Sequence, residues 1–208
     1  MLRPTALAVA CALGSATAAR ADGYYYSESV GVASARGSDA QALSSSLRTR
    51  AGIGFRYGAL SIEPWICADL SLSRDGATLD VFGGAPAMGR ADLEGGGLDL
   101  KLSEPIGDGF VLYSRAGPRY ASATGALTSY SGFGFGAGTG LALVGRVRAL
   151  GFLWTPLFFT SKGPRVLAAA YIDQGVDIYS LSSSSRMSGS LALPVVATSI
   201  GFAVGTDF

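Results

Sequence analysis

The amino-acid sequence predicts an all-β protein, a transmembrane antiparallel up-and-down β-barrel of eight strands. Three observations lead to this prediction. Apolar and polar residues alternate with a period of two over most of the chain, which is typical of strands with two different faces. The 208 residues include 30 glycines, and a glycine inside a helix costs about 1 kcal/mol relative to alanine. Long polar connections lie between pairs of alternating segments, as in membrane barrels.

Residues 1–21 have the three parts of a secretory signal peptide, which we expect to be cleaved. Arg3 supplies the positive charge, residues 6–18 form an apolar run, and residues 19–21 form a small-x-small cleavage site. The apolar run is too short for a transmembrane helix, which needs about 20 apolar residues. We therefore expect a signal peptide over 1–21 and one barrel domain over 22–208.

The charge of the mature chain argues against nucleic-acid binding. Residues 1–21 contain Arg3 and Arg20, so the mature chain keeps 14 of the 16 basic residues against all 15 acidic ones, a net charge of −1. That balance leaves no basic footprint. Cys67 is the single cysteine after cleavage, so we expect no disulfide within the mature chain and a small inward-facing side chain at this position.

The clearest strand covers residues 47–57. Leucine, isoleucine, phenylalanine and tyrosine lie on one face, and Arg48, Arg50 and Arg56 lie on the other with two glycines. After a tight connection, residues 60–72 alternate in the same way. Pro64 interrupts that strand, and we expect a β-bulge there because proline removes a backbone donor.

Further along, residues 98–103 and 110–119 alternate on either side of a turn. Glycine then occupies every second position from 132 to 140. No phosphate-binding glycine pattern is present. We interpret this segment as a strand with one face bare of side chains, which leaves space inside the barrel for long arginine side chains from neighbouring strands.

The strand count depends on the region after residue 150. Residues 150–160, 165–179 and 191–208 all have extended character, and counting all three would give nine strands. Single-chain bacterial barrels have even strand numbers, so we interpret residues 153–164 as a long turn. We expect the long polar loops at residues 36–46, 74–95, 121–131 and 180–190.

The last strand ends the chain on an aromatic residue. Residues 196–208 alternate without interruption, and the stretch 201–208 resembles the terminal strand of small bacterial outer-membrane β-barrel proteins of the OmpA and OmpX type. It departs from that family at Thr206, where an aromatic residue is usual. The resemblance implies an outer-membrane protein of a Gram-negative bacterium. It also implies a C-terminal signal for the barrel assembly machinery, formed by Phe202, Val204 and Phe208.

The predicted barrel has many charged residues on the inner face of its strands. Opposite charges could pair there, as a gate or as a plug, and we favour a plug. The expected lumen charge network is Arg48, Arg50, Arg56, Glu63, Asp69, Asp99, Lys101, Arg115, Arg119, Arg146, Arg148, Asp173 and Asp177.

The sequence contains no histidine, which argues against an enzyme. The enzymes built on outer-membrane barrels rely on a catalytic histidine, so the resemblance implies none of their activities, and metal sites built on imidazole are excluded. Asp173 and Asp177 could bind a hard cation or transfer protons, but acids that face arginines are more often structural. We expect no catalytic residue, no cofactor and no metal.

Three functions remain open from the sequence. We favour an integral outer-membrane barrel with a structural or surface-interaction role through its extracellular loops. The alternatives are a narrow channel or transporter for small or apolar molecules, and a soluble periplasmic ligand-binding barrel with its apolar face inward. The expected partners are outer-membrane lipid and the barrel assembly machinery, with no nucleic acid, and we expect a monomer.

Overall fold

The computed structural model describes residues 23–35, 46–71, 92–124, 129–146, 167–183 and 190–206. The predicted turn at 153–164 lies outside these ranges. None of the described residues forms a helix long and apolar enough to cross a membrane. The described residues form eight strands: β1 (Gly23–Ala35), β2 (Ser46–Tyr57), β3 (Leu60–Ser71), β4 (Asp92–Gly107), β5 (Phe110–Thr124), β6 (Ser129–Arg146), β7 (Leu167–Ser183) and β8 (Ser190–Gly205).

The strands form a closed antiparallel barrel in sequence order, which confirms the predicted fold class. Each strand pairs with the next, and β8 pairs with β1 from Tyr25 opposite Gly205 to Ala35 opposite Val195. The closure continues one step further, because the Thr206 amide donates to the Tyr24 carbonyl at 2.9 Å. Closure leaves no strand edge with unpaired backbone groups.

The register determines how far the strands tilt. A row of paired residues that starts at Tyr24 passes once around the barrel and returns to β1 at Ser34, ten residues along the strand. For eight strands, this stagger gives a tilt of about 40° and a lumen just wide enough to be filled by side chains. The interior is therefore a packed core.

Two tight turns mark one end of the barrel, called here the turn end. They lie at Gly58–Ala59 and at Asp108–Gly109, and both glycines have positive φ, 60° at Gly58 and 82° at Gly109. Left-handed backbone of this kind favours glycine. The first residue of β1, the last of β8, the end of β6 and the start of β7 lie at the same end.

The opposite end, called the loop end, carries connections that are shorter than predicted in two cases. The expected loops at 121–131 and 180–190 are wrong in extent, because the strands on either side continue and leave only residues 125–128 and 184–189 between them. Inward apolar side chains from these added strand ends pack together, which stabilises them. The connections at 36–45 and 72–91 remain long.

The two faces of the barrel have opposite polarity. All large apolar side chains that are exposed point outward, and they come from every strand; Ile53 is 50% and Phe133 75% exposed. Most of the charged residues on the described strands point inward, and Arg48 and Arg119 are buried. The face assignment made for β2 to β7 is confirmed. The soluble ligand-binding alternative predicted the opposite orientation, with the apolar face inward.

The β-bulge expected at Pro64 is absent. Gly52 pairs with Trp65 on one side of the proline and Phe55 pairs with Ile62 on the other, in the same register. The pairing with β4 runs through Pro64 without a shift. The missing amide hydrogen therefore interrupts the ladder with β2 locally and adds no residue to the strand.

Candidate functional site: the lumen charge network

Ten charged side chains occupy the middle of the lumen, two from each of five strands. Five are cations and five are carboxylates, so their formal charges sum to zero. They come from β2, β3, β4, β5 and β7, while the inner faces of β1, β6 and β8 carry mainly small residues beside them. The lumen charge network is Arg48, Arg50, Lys101, Arg115, Arg119, Glu63, Asp69, Asp99, Asp173 and Asp177.

Asp99 lies at the centre of the network and is fully buried. Three guanidinium groups surround its carboxylate. Arg50 Nη2 is 2.6 Å from Oδ2, Arg115 Nη1 is 3.3 Å from Oδ2, and Arg119 Nη1 is 2.5 Å from Oδ1. A buried carboxylate needs such compensation because desolvation of an unpaired charge is costly.

Glu63 is placed directly opposite Asp99 by the pairing of β3 with β4. Two adjacent carboxylates repel each other, and Arg50 relieves that repulsion by donating from Nη2 to Glu63 Oε1 at 2.7 Å and to Asp99 Oδ2 at 2.6 Å. Lys101 donates to the second oxygen of Glu63. The two acids on neighbouring strands thus share one arginine.

A second part of the network lies nearer the loop end. Arg48 donates to both oxygens of Asp69, from Nε at 2.7 Å and from Nη2 at 2.8 Å, and it also donates from Nη1 to Asp177 at 2.7 Å. The paired, fork-shaped contact with Asp69 is the strong geometry for arginine and carboxylate. Arg48 therefore joins β2, β3 and β7 across the lumen.

The glycines of β6 allow side chains on β5 and β7 to meet over the strand between them. Arg115 donates to Asp173 at 2.6 and 2.9 Å, and Arg119 donates to Asp177 at 3.0 Å. A Cβ at Gly136 would fall on Asp177 Oδ1 and lie 2.7 Å from Arg119 Nε. The bare inner face of β6 thus provides the space that we expected from the sequence.

Aromatic rings complete the network. The Trp65 ring contacts two guanidinium groups in cation–π geometry, with its centre 4.4 Å from Arg50 Cζ and 4.8 Å from Arg119 Cζ. The Tyr113 hydroxyl donates to Asp173 at 3.0 Å. Trp65 and Tyr113 were not among the residues that sequence analysis assigned to the network. Their alternation with the charged residues was the available signal.

Apolar clusters close the lumen above and below the charges. The cluster at the loop end is Ala33, Leu93, Ala121, Ala123, Tyr130, Tyr179, Leu181, Leu193, Val195 and Ala197. The cluster at the turn end is Tyr25, Tyr113, Ala142, Ala169 and Ala203. Sequence analysis did not predict these clusters. They place the ion pairs between two apolar layers, where exchange with water is restricted.

The space left inside the lumen is small. The network side chains leave a cavity of about 20 Å³, room for one or two water molecules. A second cavity of about 40 Å³ lies toward the turn end, lined by Lys101 and small or aromatic side chains. Neither cavity can hold a solute. Every carboxylate of the network contacts a cation, and the described residues contain no cluster of ligands suited to a metal ion.

The other predicted residues are Arg56, Arg146, Arg148 and the three residues of the predicted C-terminal signal. Arg56 is at the turn end and donates from Nε to the Gly58 carbonyl at 2.6 Å. Arg146 is the last residue of β6, and Arg148 lies outside the described residues. Of the predicted C-terminal signal, Phe202 is exposed on the outer face. Val204 is buried against Tyr24 and Ala168, and Phe208 lies outside the described residues.

Comparison with known proteins gives a likeness of fold. No protein-family model and no curated protein matches the sequence. Among solved structures, the chain is similar to Neisserial surface protein A (NspA), with a TM-score of 0.59 and 14% identity over 87% of this chain and 96% of NspA. Ail, the attachment invasion locus protein of Yersinia pestis, aligns over 88% of this chain and 96% of its own at 9% identity and a TM-score of 0.43. The likeness to NspA supports the small closed barrel that the sequence resemblance implies.

Proposed function

We propose that this chain is an integral outer-membrane barrel with a closed, ion-paired lumen, which acts as a rigid scaffold for the loops at its loop end. Its role is structural or one of surface interaction. The observation that carries this proposal is the inverted polarity of the barrel, with apolar side chains exposed around its outer face and balanced charges buried inside.

The outer face suits lipid. Nineteen large apolar side chains, contributed by all eight strands, are exposed there, far more than a soluble monomer leaves in contact with water. Strands of 12 to 18 residues that tilt by about 40° rise about 30–45 Å, which is enough to cross an apolar band about 25 Å tall. The closed barrel pairs its backbone groups internally, as a lipid environment requires.

The filled lumen favours a scaffold over a channel. Among the described residues, the charge network and the two apolar clusters leave cavities of only about 20 and 40 Å³. Ion pairs of this kind cannot part to admit a solute without exposing buried charges. No observation favours the channel or transporter.

The route to the outer membrane follows from the two ends of the chain. We assign residues 1–21 as the export signal, and Phe202, Val204 and Phe208 as the signal for the barrel assembly machinery. Short turns of membrane barrels face the periplasm, so the loop end faces outward. The name of NspA, a surface protein of the same fold, is consistent with that location.

Cell fractionation and planar-bilayer recordings test the proposal together. We expect the mature chain in the outer-membrane fraction, with a gel mobility that changes on boiling, and no stepwise conductance when the purified protein is added to a bilayer. Recovery in the soluble periplasmic fraction would contradict membrane insertion. Reproducible conductance steps from the folded protein would instead support the channel.

A charge placed on the outer face tests the contact with lipid. Ile53 points outward and is half exposed near the middle of β2. We expect Ile53→Lys to lower the free energy of unfolding by about 2–4 kcal/mol in lipid vesicles, the cost of a lysine at the middle of the bilayer. Ala59→Lys, in the exposed turn, is the control and should change it by less than about 0.5 kcal/mol. Urea unfolding in vesicles measures both, and equal effects would refute the lipid contact.

A further inference from the structure

A row of four polar residues crosses the outer face of the barrel on β5, β6, β7 and β8. Ser114 pairs with Thr139, Thr139 with Gln174, and Gln174 with Thr198. All four residues are exposed. We call these four residues the polar row. Its position is unexpected, because the paired rows on both sides of it are apolar.

The polar row lies within the apolar belt and not at its rim. On the side of the turn end it is flanked by a paired row of Leu112, Leu141, Ile172 and Ile200. On the side of the loop end it is flanked by a paired row of Ala116, Ala137, Val176 and Val196. Polar groups at this depth face hydrocarbon, where water cannot satisfy them.

Gln174 carries the side-chain amide of the polar row, with two donor hydrogens and one acceptor oxygen. Thr139 donates from its hydroxyl to the Tyr113 carbonyl at 3.0 Å, so it is satisfied within the chain. Among the described residues, none forms a hydrogen bond with the side-chain amide of Gln174. A primary amide left alone in an apolar medium is costly, and an exposed polar group inside a membrane calls for a partner.

Other outward polar groups on the barrel differ from Gln174. Glu28 on β1 also faces outward, but the Tyr26 hydroxyl donates to its carboxylate. On the opposite wall, Thr49 donates to the Ala68 carbonyl at 3.3 Å, and Ile53 and Ile66 expose only hydrocarbon. Among the described residues, Gln174 on β7 is therefore the outward side-chain amide that lacks a partner within the chain.

We propose that β6 and β7 form the interface of a homodimer in the membrane, in which the Gln174 amides of two copies hydrogen-bond to each other. This inference rests on the proposed membrane insertion and replaces the monomer expected from the sequence.

The chemistry of the amide favours a second copy as the partner. A glutamine amide carries both donors and an acceptor, so two of them satisfy each other reciprocally. Two copies inserted in the same direction also place Gln174 at the same depth, about a two-fold axis along the membrane normal. A different protein would have to supply a matching polar group at that depth. The small side chain of Ala137 beside the row allows close approach, as small residues do at interfaces within membranes.

Disulfide trapping tests the position of the interface. In a Cys67→Ser background, which removes the mature chain's own cysteine, we compare Gln174→Cys with Ile66→Cys. Ile66 is exposed on β3, diametrically opposite β7 in the strand order. Oxidation of the folded protein in phospholipid vesicles should give a disulfide-linked dimer with Gln174→Cys and little above background with Ile66→Cys. Equal yields from both positions would overturn the proposal.

Loss of the amide tests its role. By energy transfer between labelled copies in vesicles, Gln174→Leu should weaken dimerisation by about tenfold. Thr49→Val, which removes a polar group from the opposite wall, should leave dimerisation unchanged. The same samples are checked for heat-modifiable gel mobility. If gel mobility changes on boiling but the wild-type protein is monomeric, the dimer is overturned and membrane insertion is not. The same holds if Gln174→Leu associates as strongly as the wild type. If the gel mobility of the wild-type protein does not change on boiling, membrane insertion is overturned.

Discussion

Replacing Asp99 with asparagine is expected to destabilise the barrel by about 3–5 kcal/mol, the cost of removing one partner from a buried ionic cluster. The asparagine keeps the size and one acceptor oxygen but loses the charge. Three guanidinium groups, from Arg50, Arg115 and Arg119, then converge on a neutral side chain in a fully buried position. The network would carry five cations against four carboxylates.

Urea unfolding of the refolded protein in detergent measures this effect, with tryptophan fluorescence as the signal, because Trp65 lies against Arg50 and Arg119. Glu104→Gln is the matched control, since it removes an acid from the same strand on the exposed outer face. We expect that variant to unfold within about 0.5 kcal/mol of the wild type. If both variants unfold alike, the central role of Asp99 is refuted.

A second substitution should restore part of the loss, which separates charge imbalance from a packing defect. Arg119→Gln in the Asp99→Asn background returns the network to four cations and four carboxylates, and Asp177 keeps Arg48 as its partner. Groups in direct contact usually couple by about 0.5–3 kcal/mol. We expect the double variant to be more stable than the sum of the two single effects predicts.

The faces of the strands could be predicted from the sequence because alternation is a local property. In β2, apolar residues and arginines already alternate with a period of two. If the arginines point into the lumen, the apolar residues must point outward. The glycine face of β6 followed from the same reasoning, whereas the strand number needed the rule that single-chain bacterial barrels have even strand numbers. The closed eight-stranded barrel confirms it.

The ion pairs could not be predicted, because they depend on the stagger of the closed barrel. Arg48 contacts Asp177 across 129 positions of sequence, and Arg119 reaches Asp177 over an intervening strand. Alternation shows that such residues point inward but not at which height each one lies. That height is determined by the register of all eight strands together.

The strand ends were predicted too short for a related reason. Beyond residue 119 and residue 179 the sequence becomes rich in serine, threonine and alanine, which is typical of loops. Ala121, Ala123 and Leu181 nevertheless point inward and are completely buried in the cluster at the loop end. Small side chains can continue a strand where the lumen packs them, and tertiary packing overrides local propensity.

Side chains added to the inner face of β6 should destabilise the barrel in proportion to their size. We expect Gly136→Ala to cost about 1–3 kcal/mol by overpacking. We expect Gly136→Val to cost about 4 kcal/mol or more, because its side chain must also separate Asp177 from Arg119. A Cβ at this position would overlap Asp177 Oδ1 and would lie 2.7 Å from Arg119 Nε.

The neighbouring residue supplies the control, since Ala137 lies on the same strand but is exposed on the outer face. Ala137→Val adds the same kind of side chain on the exposed outer face, so its unfolding as a detergent-solubilised monomer should stay within about 0.5 kcal/mol of the wild type. The contrast between adjacent positions measures the space that the β6 glycines reserve for the β5–β7 ion pairs. A Gly136→Val variant as stable as Ala137→Val would mean that the lumen can rearrange around the added side chain, and the ion pairs would then not depend on a bare β6 face.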